Sequence, residues 1–174
     1  LWEKTGADKD ISFAKNLVNF AFEQKKIENN GFDAERDKMV VVFDADIFEE
    51  KVQGYDELIQ EIQKSDIAAV TNPGFELFLI LHEEDSFEKY ISGHESEFLS
   101  KDENGGYHHA YDVLRDITGM NAKKNSNIGD LAEKVLYAIS QEKKINQDIH
   151  KCKGVVTSNV GCIIESIMKE EPEI

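Results

Sequence analysis

Asp44 and Asp46 close a short apolar run, Met39-Val40-Val41-Val42-Phe43. In an extended segment, residues two apart point to the same side, so both carboxylates can face one point beyond the strand's C-terminal edge. That edge is where open α/β sheets bind ligands. Two converging carboxylates suit Mg²⁺ or Mn²⁺, hard cations that keep several waters and bridge to phosphate. The plainer alternative is that strand-end aspartates start a turn or cap the next helix. Glu76 is the third candidate. In Asn72-Pro73-Gly74-Phe75-Glu76, Asn72 as N-cap and Pro73 at the first helical position make an ordinary helix start. Glu76 then falls one residue too far along for a capping box, among Phe75, Leu77, Phe78, Leu79, Ile80 and Leu81. A carboxylate in so apolar a helix must find a partner or take up a proton more readily. Either it serves an active site, or it meets a Lys or a cluster of backbone amides.

Other chemistry is poorly supported. His108 and His109 are adjacent, about 100° apart on a helix, and cannot chelate together. His150, Cys152 and Cys162 lack zinc-ligand spacing, and His82 reads as a boundary histidine at the end of an apolar helix. There is no GxGxxG, GxxxxGK[ST] or GxSxG motif. The pairs Lys123-Lys124 and Lys143-Lys144, with Lys151 and Lys153, read as solvated helix ends or phosphate contacts.

The elements that must position the carboxylates follow from periodicity. Ile11, Ala14, Val18 and Phe22 recur at helical spacing over residues 10–24. Residues 25–38 form a polar connector. The run at 39–43, continuous and rich in β-branched residues, predicts a strand buried on both faces. Tyr55, Leu58, Ile59 and Ile62 predict an amphipathic helix, and Ile67-Ala68-Ala69-Val70 a second strand. Strand, helix and strand within some 30 residues make a βαβ unit with parallel strands. No further strand is evident, though the sheet needs one to be stable. Residues 75–82 predict a short apolar helix, 83–106 an acidic, mobile excursion with small apolar anchors at Phe87, Tyr90, Ile91 and Phe98, and 107–118, 128–142 and 158–169 three more helices. The expectation is one domain over 1–174. Its α/β core lies at about 10–82 and a helical C-terminal layer at 107–170.

Composition bounds the partners. Thirty-five acidic against 20 basic side chains give a net charge of −15, which argues against nonspecific binding to nucleic acid or anionic membranes. Eighteen of the cations are Lys; Arg36 and Arg115 are the two Arg, so bidentate phosphate forks are scarce. If phosphates are handled, a metal or a partner subunit must supply much of the positive charge. No apolar run approaches the roughly 20 residues that span a bilayer. No basic-then-apolar leader opens the sequence. With only two cysteines, a reducing, cytoplasmic setting is expected.

Val41-Val42-Phe43-Asp44-Ala45-Asp46, followed by Val70-Thr71-Asn72-Pro73-Gly74-Phe75-Glu76-Leu77-Phe78-Leu79-Ile80-Leu81-His82, resembles the RloB-like family. That family's pattern is an apolar strand ending Asp-x-Asp, then Ser-Asn-Pro-x-Phe-Glu-x-Trp-x-x-x-His. The resemblance is firmest over 39–82 and looser to 168. Thr71 stands for the family's Ser and Phe78 for its Trp. The family's first motif, a strand ending Glu-Gly, matches Glu3 best, with Lys4 in place of Gly. The resemblance implies a Toprim-like fold and a Mg²⁺- or Mn²⁺-dependent nuclease of bacterial abortive-infection and restriction systems. Asp44, Asp46 and Glu76 would be metal ligands, and Glu3 a general acid or base. It also implies a nucleic-acid substrate, and an ATPase partner could deliver it. Two other readings stand beside it. One is a haloacid-dehalogenase-like phosphohydrolase with Asp44 as nucleophile, which needs a downstream Lys and acidic pair. The other is a catalytically inactive Toprim-like interaction module.

Overall fold

The computed structural model describes residues 14–27, 30–46, 54–102, 108–119 and 126–169. It is a mixed α/β structure with a three-stranded sheet and flanking helices. The described residues fall into two compact units, one of residues 14–42 and 54–68, the other of 43–46 and 69–169. The division falls inside the first two strands.

The first unit begins with α1 (Ala14–Lys25), followed by the polar connector and the start of β1 (Val40–Asp44). Helix α2 (Tyr55–Gln63) buries Leu58, Ile59 and Ile62, as its spacing requires, and packs on α1, where Val18 and Ala21 are buried. Asp66, just ahead of β2 (Ile67–Asn72), ties the unit together. It is buried, pairs with Lys25, and accepts from the Met39 backbone N–H at 3.0 Å and the Ser65 hydroxyl at 2.9 Å. Burial pushes its carboxyl up, but these three donors outweigh that and hold it below its ordinary value. The Lys25 ammonium also lies 5.3 Å from the Phe22 ring centroid and 5.5 Å from that of Phe32.

Ile67 N–H donates to Met39 C=O at 2.9 Å, and Ala45 N–H to Thr71 C=O at 2.8 Å. The pairing advances the same way on both strands, so β1 and β2 are parallel, as the βαβ pattern predicts. Burial on both faces holds for β2 but not for β1. Val41 and Phe43 are buried, whereas Val40 and Val42 are 41% and 44% exposed. Among the described residues, β1 has a neighbouring strand on one side only, in the order β1-β2-β3, and has one covered face; a run of β-branched residues cannot distinguish the two cases.

In the second unit, β3 (Thr157–Ser158) supplies the strand that the sequence did not reveal. It pairs antiparallel with β2, Thr71 opposite Ser158 and Asn72 opposite Thr157. Two residues are too few to show a strand period, and they precede a strongly helical stretch. The remaining elements are α3 (Glu76–Ile80), a π-helical turn (Phe87–Ile91), α4 (Glu95–Phe98), α5 (His108–Thr118), a 3₁₀ helix (Ser126–Lys134), α6 (Val135–Glu142), a 3₁₀ turn (Ile149–Lys151) and α7 (Val160–Lys169). Helix α3 packs on α5 and α6, and α6 on α7, around Leu77, Ile80, Leu81, Leu114, Ala138 and Val156.

The stretch at 83–102 is not the mobile excursion its acidity predicts; residues 103–106 lie outside those described. Ile91 and Phe98 are fully buried. Gln141 of α6, itself buried, donates to the carbonyls of Leu81 at 2.8 Å and Glu83 at 2.7 Å, and accepts from Phe87 N–H at 2.8 Å. Two apolar anchors and one satisfied amide order a segment whose composition looks like a loop.

Glu142, next in the chain, is also fully buried. It accepts from Ser158 Oγ at 2.5 Å and from the backbone N–H groups of Gly161 (2.8 Å) and Cys162 (2.7 Å). These are first-turn donors of α7 that have no partner within their own helix. The carboxylate therefore sits badly at the C-terminus of α6 but favourably at the N-terminus of α7. Gly161 is required beside it, since a Cβ there would stand 2.9 Å from Glu142 Oε2 and 3.2 Å from the Ile139 Cα. Glu142→Ala should cost about 3–5 kcal/mol, because it orphans three buried donors. Glu142→Gln, which keeps an acceptor, should cost about half that. Chemical denaturation measures both, and an alanine variant within about 0.5 kcal/mol of wild type would refute this account of the α6–α7 junction.

Candidate functional site

The site is built where β1 ends beside β2, within the second unit. Ala45 N–H donates to Thr71 C=O, which fixes the register. That register sets Thr71, fully buried, against Asp44, and Thr71 Oγ1 donates to Asp44 Oδ1 at 2.6 Å. The backbone N–H of Phe75 donates to the same carboxylate. Asp46 follows two residues on, and Glu76 stands in the first turn of α3.

Gly74 shows how tightly these groups meet. A Cβ at that position would lie 2.9 Å from Glu76 Oε2 and 3.9 Å from Asp44 Oδ2. The two carboxylates thus face one point, occupied by a residue without a side chain. Burial is the main influence on Asp44. The Thr71 hydrogen bond opposes it, the negative charges of Asp46 and Glu76 add to it, and the Phe75 N–H opposes it again. The balance pushes Asp44 from 3.8 up to about 6. The structure therefore brings Asp44 and Glu76 to a common point; Asp46 lies past the end of β1, in helical rather than extended backbone, and adds its charge to Asp44. Glu3 lies outside the described residues.

No three His, Cys, Asp or Glu side chains among the described residues are close enough to form a ready-made metal cage. Two oxygens of the Asp44–Glu76 pair facing a common point, both hard donors, still fit Mg²⁺ or Mn²⁺. Such ions take one or two carboxylates and fill the remaining positions with water and phosphate.

Asn72 is not the N-cap that the sequence predicts. Helix α3 starts after Phe75 with no side-chain cap. The Asn72 amide is buried, and its NH₂ donates to the carbonyls of Cys152 (2.7 Å) and Val155 (3.0 Å). An N-cap needs exposure to the helix's first N–H groups, and β3 draws Asn72 away to the loop before it. His82 is a buried histidine, its Nδ1 2.9 Å from Phe78 C=O and its ring edge-on to Phe78 at 4.9 Å. Burial chiefly lowers its pKa. Cys152 and Cys162 are free thiols.

Sequence reasoning missed Thr71 as the tether of Asp44 and Gly74 as the point of closest approach. The register could have revealed Thr71, since the hydroxyl ends one strand of a parallel pair whose partner ends in an aspartate. No sequence signal singles out Asn159, whose side chain accepts from Val70 N–H at 2.7 Å and so holds β2 from its other side.

These features define an α/β protein with an acidic site at the C-terminal end of parallel strands. The chain belongs to the RloB-like protein family, whose model matches residues 3–167. No curated protein and no solved structure matches it. No helix among the described residues is long and apolar enough to cross a membrane.

The raised Asp44 carboxyl has a consequence for stability. A group that binds its proton more tightly in the folded state stabilises the fold fully below its unfolded value of 3.8, and that contribution is lost as pH rises through about 6. In EDTA, Asp44→Asn should therefore be nearly neutral at pH 4 and stabilising at pH 8, by about 1–2 kcal/mol after allowing for partial exposure. Thermal or urea melts at the two pH values measure this. A variant that is equally destabilised at both would mean that Asp44 is held by favourable contacts.

Proposed function

We propose that this protein is a divalent-metal-dependent nuclease of a bacterial phage-defence system, with a Toprim-like core. The observation that carries the reading is the convergence of Asp44 and Glu76 at a strand end, with Asp46 two residues on, inside the segment that resembles the family's Asp-x-Asp and Asn-Pro motifs. When bound, Mg²⁺ or Mn²⁺ would supply Lewis-acid polarisation of a phosphodiester and an activated water. Asp44 and Asp46 would hold the ion, with Glu76 positioning the ion or the water.

The chain's own residues prepare this. Thr71 and the Phe75 N–H engage Asp44 from the protein side, and its Oδ2 faces the point it shares with Glu76. Asp44 must give up its proton to take a cation, so metal affinity is coupled to its titration. Glu3 is the family's general acid or base and takes that role here by resemblance. With a net charge of −15, delivery of nucleic acid by an ATPase partner fits the reading better than unaided capture.

Cleavage of single-stranded DNA and RNA with Mg²⁺ or Mn²⁺ is the direct test, beside a phosphomonoester. Asp44→Asn and Asp46→Asn should each reduce cleavage by about 100-fold or more, and Glu76→Gln by about 10-fold or more. Calorimetric Mg²⁺ affinity should fall about tenfold for each pH unit below 6 and be flat above 7. Turnover of the phosphomonoester alone would favour the haloacid-dehalogenase-like reading. Metal binding without any turnover would favour the interaction module. Equal Mg²⁺ affinity in wild type and Asp44→Asn would remove the site altogether.

A further inference from the structure

Glu76 also borders a cleft of about 370 Å³ between α3 and the 3₁₀ helix, walled by Phe75, Glu76, Phe78, Leu79, Ile128 and Leu131. Its size lies at the small end of ligand sites, which run to about 1,000 Å³. Its lining is mostly apolar. Phe75 is 37% exposed, and its centroid is 5.9 Å from that of Phe78 at a tilt of 49°. Glu76 belongs to both places: it lines the cleft, and its Oε2 faces the point shared with Asp44.

The chemistry of the walls selects the occupant. Among the described residues that line the cleft, Glu76 is the only carboxylate and none is a lysine or arginine. His82, also at the wall, is biased toward its neutral form by burial. A phosphate would be repelled from this space and belongs on the carboxylate side, bound through a cation. What fits the cleft is flat, uncharged and able to lie on an aromatic face, and it must be joined to a phosphate by a linker a few atoms long. A nucleobase meets each condition. A paired base does not, because both its faces are taken by neighbours in the stack.

We infer that the cleft seats one unpaired base of a single-stranded nucleic acid, stacked on Phe75, while the adjoining phosphate lies at the Asp44–Glu76 site. This rests on the metal-dependent nuclease reading and adds to it the strand form and the base contact. Phe75 is a binding residue in this scheme, and Ala132, an exposed residue of the 3₁₀ helix that also lines the cleft, offers a way to fill it.

The test is fluorescence anisotropy of a labelled single-stranded oligoadenylate, as DNA and as RNA, with Ca²⁺ in place of Mg²⁺ to suppress cleavage. An abasic strand and a duplex of the same length serve as comparisons. Phe75→Ala and Ala132→Trp should each weaken binding of oligoadenylate about 10-fold, the scale of one lost base–aromatic stack. Phe75→Trp should stay within about twofold of wild type, since it restores the ring. On the abasic strand all four proteins should bind alike, and melting temperatures confirm that each variant is folded. Metal-dependent binding that ignores Phe75, Ala132 and the bases would overturn the cleft inference and leave the carboxylate site standing. A duplex bound as tightly as the single strand, with the same dependence on Phe75, would overturn the unpaired base. Binding unaffected by Ca²⁺ and by Asp44→Asn would overturn the metal reading and this inference with it.

Discussion

Thr71 and Asn72 are polar, consecutive and completely buried; a buried hydroxyl or amide N–H must find a partner inside the protein, and these do, although Asn72 Oδ1 has none among the described residues. That constraint organises the site. Successive side chains on a strand point to opposite faces, so the two residues reach in different directions. Thr71 takes Asp44 at the end of β1, and Asn72 takes the carbonyls of Cys152 and Val155 ahead of β3. Val70, one residue earlier, gives its N–H to Asn159. Three successive residues of β2 therefore fix three separate segments, and the carboxylate site is where the first of these attachments meets the start of α3.

The attachments also explain why a costly arrangement persists. Burial and two neighbouring carboxylates disfavour ionised Asp44, and only the Thr71 hydroxyl and the Phe75 N–H work the other way. Left to itself, such a side chain would turn toward water. The hydrogen bond from the buried Thr71 hydroxyl holds it in place, at some expense in stability at neutral pH. Perturbed carboxyls of this kind concentrate where a ligand completes the electrostatics. Elsewhere in the molecule the buried acids are answered from within, Asp66 by Lys25 and two further donors, Glu142 by Ser158 and the first turn of α7. Asp44 differs from both in that its neighbours add negative charge.

Much of this was legible in the sequence, to different depths. The βαβ unit, the strand-end aspartates and the amphipathic face of Leu58, Ile59 and Ile62 are local patterns, and local patterns survive folding. Glu76 stood out because a carboxylate among Leu77, Phe78 and Ile80 contradicts its surroundings. What was not legible depends on residues far apart in the chain. β3 is two residues long and is a strand only because Thr71 and Asn72 lie opposite it. Asn72 looks like a helix cap until a loop some 80 positions away offers two carbonyls. The segment at 83–102 reads as a loop by composition, yet Gln141 and two buried apolar side chains order it.

The distribution of cations gives the acidic site its last constraint. Several lysines among the described residues are engaged with acids near them: Lys134 with Glu83, Lys143 and Lys169 with Glu165, Lys151 with Asp148, Lys144 with Glu88. Exposed pairs of this kind add little stability, but each ammonium already has an anion beside it. A phosphate approaching Asp44 thus meets carboxylates first and gains little from the protein's own positive charge. Coulomb repulsion between like charges at contact is about 1 kcal/mol even in water and several times that at a part-buried surface, and it must be reversed before a phosphate can bind there. A divalent cation between the carboxylates and the phosphate reverses its sign at the contact itself, and a basic partner surface reverses it at longer range. The proposed function calls on both for this reason: under that reading, the acidity that argues against unaided phosphate binding is what a metal would offset.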